Sequence, residues 1–232
     1  MNKKKTKNFL TYTLLFLLVP IIVLLSGFVF KEKYYAFLSV VICILSCVPL
    51  FYTFNKKENT SKELSVLAVL VAISVVGRFI FSPIPFFKPV TAITVITAVY
   101  LGSESGFAVG ALSAIISNIY FGQGPWTPFQ MLAWGLIGFC AGYIGHSNKN
   151  KKLKTVIYGA FSGIAYSLIM DIFTTLWMDG SFNGKRYLGA IISAIPITLI
   201  YMVSNVIFIY FLYKPFGDKL ERIKIKYGLF NK

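Results

Sequence analysis

Eight apolar runs follow one another along this chain, and they decide what it can become. They cover residues 9–30, 34–54, 63–81, 84–101, 104–121, 129–145, 155–178 and 188–213. A helix needs roughly 20 apolar residues to cross a hydrocarbon core about 30 Å thick, and these runs meet that length or approach it. A membrane β-barrel would show segments of alternating polarity; these runs are continuously apolar. The predicted fold is all-α, a polytopic membrane helix bundle. Composition agrees: of 232 residues, 56% are apolar and 13% are charged, whereas a soluble domain is about a quarter charged. Mean hydropathy is +0.72. A soluble globule and a disordered chain are both excluded.

Charge fixes the expected orientation. Basic residues accumulate in cytoplasmic loops and few are left outside. With the N-terminus inside, 17 of the 23 Lys and Arg fall on cytoplasmic segments, among them Lys3–Lys5, Lys56, Lys57 and Lys151. The other six are Lys31, Lys33, Arg78, Lys88, Lys185 and Arg186. The chain is therefore expected in the cell membrane as a multi-pass protein with both termini cytoplasmic. The net charge of +15 is explained by alternate loops rather than by one basic stripe, so no nucleic-acid partner is expected. Residues 1–30 resemble a signal sequence, since Lys3–Lys5 precede an apolar run, but the run is long and no A-x-A-like site follows; an uncleaved anchor is expected.

Residues 55–62, the polar stretch NKKENTSK, divide the chain. A basic tail and transmembrane hairpin precede them (1–54), the stretch itself reads as a cytoplasmic linker, and a six-helix core follows (63–213). A basic cytoplasmic tail, 214–232, suits contact with anionic membrane lipids. Small residues recur at four-residue spacing in the core: Gly106, Gly110 and Ala114; Gly138 and Gly142; Gly159 and Gly163; Ala68 and Ala72. Such faces let helix backbones approach in lipid.

Two charges lie clearly inside spans, Arg78 and Asp171. Each costs on the order of 2.5–3.5 kcal/mol in hydrocarbon if unpaired. A polar pocket open to the outside or a mutual ion pair would explain both; so would an Arg reaching to the interface and an Asp tying two helices together. Three outer loops supply the second signal. Residues 118–130 break helix geometry with two Gly and two Pro, and place Trp126 and Phe129 beside Asn118, Gln123 and Gln130. Residues 82–89 form a Pro-rich aromatic loop carrying Phe87 and Lys88, and Trp177, Asp179 and Asn183 mark a third. A few polar groups in an aromatic cleft make a small-molecule site. The candidate binding residues are Arg78, Phe87, Lys88, Asn118, Gln123, Trp126, Gln130, Asp171 and Trp177, converging in a half-polar cup at the outer ends of the core helices.

No catalytic residue is expected. An embedded Ser would need a His base, and the single His, His146, falls at a cytoplasmic end. No P-loop is present. Cys43, Cys47 and Cys140 all fall in spans without metal-ligand spacing, so no metal and no cofactor is expected.

Three stretches, Phe87-Lys-Pro-Val-Thr-Ala92, Gly106-Phe-Ala-Val-Gly-Ala-Leu-Ser-Ala114 and Phe121-Gly-Gln-Gly-Pro-Trp-Thr-Pro-Phe-Gln-Met131, resemble the substrate-binding S components of energy-coupling factor (ECF) vitamin transporters. The resemblance covers about residues 63–213 and is greatest to the branch assigned to cobalamin. It implies a six-helix bundle that captures a vitamin outside and delivers it inward. The implied partners are a membrane coupling (T) subunit and two ABC-type ATPases. It also implies that Ala68 and Ala72, matching an A-x-x-x-A face on the first core helix, dock the coupling subunit. The hairpin at 9–54 departs from the minimal six-helix pattern. Cobalamin is the expected ligand, with pantothenate and riboflavin as alternatives. The rival mechanism is a stand-alone, proton-coupled secondary transporter working through Asp171.

Overall fold

The computed structural model describes residues 61–146 and 150–230. The expected N-terminal hairpin, with Cys43 and Cys47, and nearly all of the 55–62 linker lie outside the described residues. Six α-helices form the described chain: α1 (Ser61–Ile80), α2 (Val90–Leu101), α3 (Ser103–Phe121), α4 (Trp126–Ala141), α5 (Lys151–Asp179) and α6 (Gly184–Tyr227). A 3₁₀ turn at Gly142–His146 follows α4. The protein is all-α, a membrane helix bundle, and α1, α5 and α6 are each long and apolar enough to cross a bilayer.

Helix α2 is the hub. Its sequence VTAITVITAVYL carries no charge, only the hydroxyls of Thr91, Thr94, Thr97 and Tyr100 interrupt its apolar surface, and eleven of its twelve residues are buried. A helix that is apolar all round belongs in an interior; α2 packs on α1, α3, α4, α5 and α6. The expected span 84–101 is corrected here. The helix begins only at Val90, because Pro83, Pro85 and Pro89 deny it backbone donors. Residues 81–89 instead form linked turns, with Ser82, Ile84 and Phe87 N–H groups donating to the carbonyls of Phe79, Phe81 and Ile84. At about 1.5 Å per residue, the twelve residues of α2 fall well short of the hydrocarbon thickness.

The small-residue faces are packing seams. A Cβ on Gly110 would lie 2.5 Å from the Trp134 carbonyl oxygen, and one on Gly163 would lie 2.7 Å from the Met202 nitrogen. Gly106 and Gly138 face each other backbone to backbone. These contacts bring α3 onto α4 and α5 onto α6.

The last helix also differs from expectation. It does not end near 213 but continues to Tyr227, with Pro196 and Pro215 inside it. Its 44 residues are about twice what a bilayer requires, so the basic stretch after Lys214 extends the helix beyond the apolar zone. Gly228 then turns the chain at φ 61°. Leu229 and Phe230 are buried, and the Phe230 N–H donates to the Glu63 carboxylate at 2.5 Å. The two ends of the described chain are thereby tied together.

Candidate functional site

Asn118 stands at the end of α3, fully buried, and its amide joins three elements. Its Oδ1 accepts from Arg78 Nη1 of α1 at 2.9 Å. Its Nδ2 donates to Thr127 Oγ1 at 2.8 Å and to Gln130 Oε1 at 2.9 Å, both on α4. Thr127 Oγ1 donates onward to Gln123 Oε1 at 3.0 Å. Ser117 Oγ accepts from Arg78 Nη1 and donates to the Ser113 carbonyl at 2.5 Å. The local sequence explains the hub. Gly122 takes φ 96° and ends α3, and Pro125 precedes α4. Four residues thus reverse the chain and set the two helices side by side. Gln123 Nε2 donates back to the Ile115 carbonyl of α3 at 2.8 Å.

Arg78 does not reach out to an interface. It points inward and is 9% exposed, its guanidinium carbon 4.5 Å from the Phe121 ring centre and 5.4 Å from that of Trp134. Lys88 reaches the same indole from the 81–89 loop. Its Nζ lies 5.4 Å from Trp134, 5.7 Å from Tyr166 and 5.2 Å from Tyr201. Trp134 and Tyr166 are stacked at 5.1 Å, and Tyr201 meets Tyr166 edge-on at 5.1 Å. Ring faces attract cations by about 0.5–2 kcal/mol each, and that attraction holds both charges in place.

The loop is fastened to deliver Lys88. Its main-chain N–H donates to Ser204 Oγ of α6 at 3.0 Å, and its carbonyl accepts from the same hydroxyl at 3.2 Å. Gly77 leaves room on α1 for the Pro89 ring, which a Cβ there would meet at 2.5 Å. Phe86 is held at φ 63°, a left-handed conformation costing an L-residue about 1–2 kcal/mol. Its ring lies edge-on to Tyr201 at 5.8 Å. Strain kept in place by surrounding contacts is a mark of functional segments.

Asp171 on α5 is buried, and its Oδ2 has no hydrogen-bond partner. The mutual ion pair with Arg78 is not formed; further along α5, Asp179 pairs with Arg186 across the α5–α6 turn. Asp171 lies within electrostatic range of Tyr201 and Tyr187. A buried carboxylate oxygen without a partner is costly and marks a place for a donor.

The structure therefore brings Arg78, Lys88, Asn118 and Gln130 into one cluster, with Asp171 beside it. The other sequence candidates lie elsewhere. Phe87 packs on Phe81 and Phe208. Gln123 supports the α3–α4 turn. The Trp126 ring folds over Gly124. Trp177 is 52% exposed and stacks on Phe173. Sequence reasoning missed Trp134, Tyr166, Tyr201, Ser117 and Thr127. One signal was available: Trp and Tyr favour membrane interfaces, so Trp134, Tyr166 and Tyr201 deep inside apolar runs needed partners. Among the described residues no group of three His, Cys, Asp or Glu could hold a metal ion. The cluster offers donors, acceptors, two cations and partly exposed rings at Phe86, Phe121 and Tyr201. That is equipment for recognition rather than for bond making.

A family model described as "ECF-type riboflavin transporter, S component" matches residues 58–217, which takes in all of α1 to α5, most of α6 and every residue of the cluster. No curated protein and no solved structure matches the chain.

Proposed function

The chain belongs to the ECF-type riboflavin transporter S component family, and from that premise we propose that the Arg78–Lys88–Asn118–Gln130 cluster is where its solute binds. The family consists of substrate-binding subunits of vitamin transporters, not of enzymes. The observation that carries the reading is convergence. Helices α1, α3, α4, α5 and α6 and the 81–89 loop each contribute a polar or aromatic side chain to one buried place. Pockets for organic ligands combine apolar walls with a few fixed polar groups, and the cluster has that make-up.

A flavin-like heteroaromatic solute is the ligand we favour. The matched family is named for riboflavin, and amide and hydroxyl donors beside aromatic rings suit a ring system with polar edges. Cobalamin, expected from the sequence, gains no support from that family and competes in the same assay. Capture takes place at the end bearing the 81–89, 122–125 and 180–183 connections, which faces outside. The implied partners are a membrane coupling subunit and two ABC-type ATPases. Ala68 and Ala72 are exposed one turn apart on α1, next to exposed Val69, Ile73 and Val76, and this strip docks the coupling subunit.

Purified protein titrated with riboflavin, read by quenching of flavin fluorescence, tests the reading. Submicromolar saturable binding is expected, and Asn118→Ala and Trp134→Ala weaken it. If cobalamin binds and riboflavin does not, the flavin assignment fails. If proteoliposomes lacking the ATPases take up the solute under a proton gradient, the coupled-importer mechanism gives way to a carrier using Asp171.

A further inference from the structure

Arg78 and Lys88 bring two positive charges to one indole ring, each at 5.4 Å from its centre. Two like charges held on one ring, away from bulk water, oppose each other. Asp171, the buried carboxylate on α5, pairs with neither. Lys88 Nζ touches ring faces and has no hydrogen bond or ion pair among the described residues. Both Arg78 hydrogen bonds leave from Nη1, so Nε and Nη2 keep their donors for a planar anion. Every neighbour that holds these cations is neutral: Ser117, Asn118, Phe121, Trp134, Tyr166 and Tyr201. A site for a neutral solute has no need of two embedded cations, each costly in a membrane interior.

We propose that the solute carried by this protein bears an acidic group, a carboxylate or a phosphate, and that this group sits between Arg78 and Lys88. The inference rests on the reading that the cluster binds the transported solute. The anion removes the repulsion between the two cations on arrival. Asn118 fixes the guanidinium plane, and Ser204 fixes the backbone from which the lysine reaches.

Two matched pairs of probes test it: riboflavin against flavin mononucleotide, its phosphate ester, and panthenol against pantothenate, its carboxylate. Binding is measured on the full chain in nanodiscs of neutral phosphatidylcholine. In at least one pair the acidic member is expected to bind roughly tenfold tighter, the yield of one charge-assisted contact. Lys88→Gln is expected to erase the preference and Lys88→Arg to retain it; the second variant shows that the fold survives substitution there. Equal binding within each pair overturns the acidic-group inference. If riboflavin itself still binds tightly, the proposed function stands without it. A preference unchanged in Lys88→Gln also overturns it. So does one that vanishes when phosphatidylglycerol replaces half the neutral lipid, which would assign the two cations to a lipid headgroup. Failure of all four probes to bind overturns both readings.

Discussion

Asn118 shows how one side chain can organise a site. It contributes an acceptor to α1 and two donors to α4 while sitting on α3, so Arg78, Thr127 and Gln130 each lose a partner if it is cut back. Leaving buried polar groups unsatisfied costs about 1–3 kcal/mol each. Asn118→Ala is therefore expected to lower the melting temperature in detergent and to weaken solute binding together. Asp171 should separate those two quantities. Its Oδ2 has no partner, so Asp171→Asn removes a buried charge without breaking a bond from that oxygen. Thermal stability is expected to hold or rise, since relieving an uncompensated buried charge stabilises, whereas solute affinity falls. Affinity unchanged in Asp171→Asn, measured by titration, removes Asp171 from the site. At this scale the sequence was legible wherever a residue was conspicuous for its surroundings. Arg78 and Asp171 stood out because charge is rare in apolar runs. Tyr166 and Tyr201 gave a weaker signal: their depth in apolar runs asks for a partner, but an aromatic residue in a span has the same look whether it packs or binds.

Helices pair through glycine seams here, and the seams predict what cannot be changed. A Cβ on Gly163 would meet the Met202 nitrogen at 2.7 Å and the Tyr201 carbonyl carbon at 3.0 Å. Backbone cannot yield as a side-chain end can, so Gly163→Val is expected to separate α5 from α6, moving Tyr166 away from Tyr201. Gel filtration should show loss of monodisperse protein, and the surviving fraction should bind no solute. Ala68 on α1 is exposed, so Ala68→Leu has room among the described residues. It is expected to leave solute affinity unchanged and to reduce recovery of the coupling subunit on co-purification, while Asp171→Ala gives the opposite pattern. The four-residue spacing of the small residues was plain in the sequence, but not which helix each seam receives. That pairing depends on α2 occupying the centre, and α2 occupies it because its twelve residues carry no charge to keep outside.

Orientation is a property of the whole molecule. Lys62, Lys151, Lys152, Lys154 and the basic residues after Lys214 lie at the end where Glu63 meets Phe230. With that end cytoplasmic, a membrane-impermeant thiol reagent applied to intact cells is expected to label Ser82→Cys, in a background without native cysteines. Lys219→Cys should be labelled only after permeabilisation, and the reverse pattern overturns the assigned topology. The sequence by itself determined the solvent and the helical class, and set an expected side for each loop. Those depend on sums over many residues, and hydrophobic and electrostatic terms add along a chain whatever its fold. Only the tertiary structure decided that Arg78 turns inward to Asn118, that Lys88 enters an aromatic enclosure and that Trp126 and Trp177 stay outside it. Those depend on which residues far apart in the chain come within a few ångströms, and short-range contacts have no counterpart in sequence order.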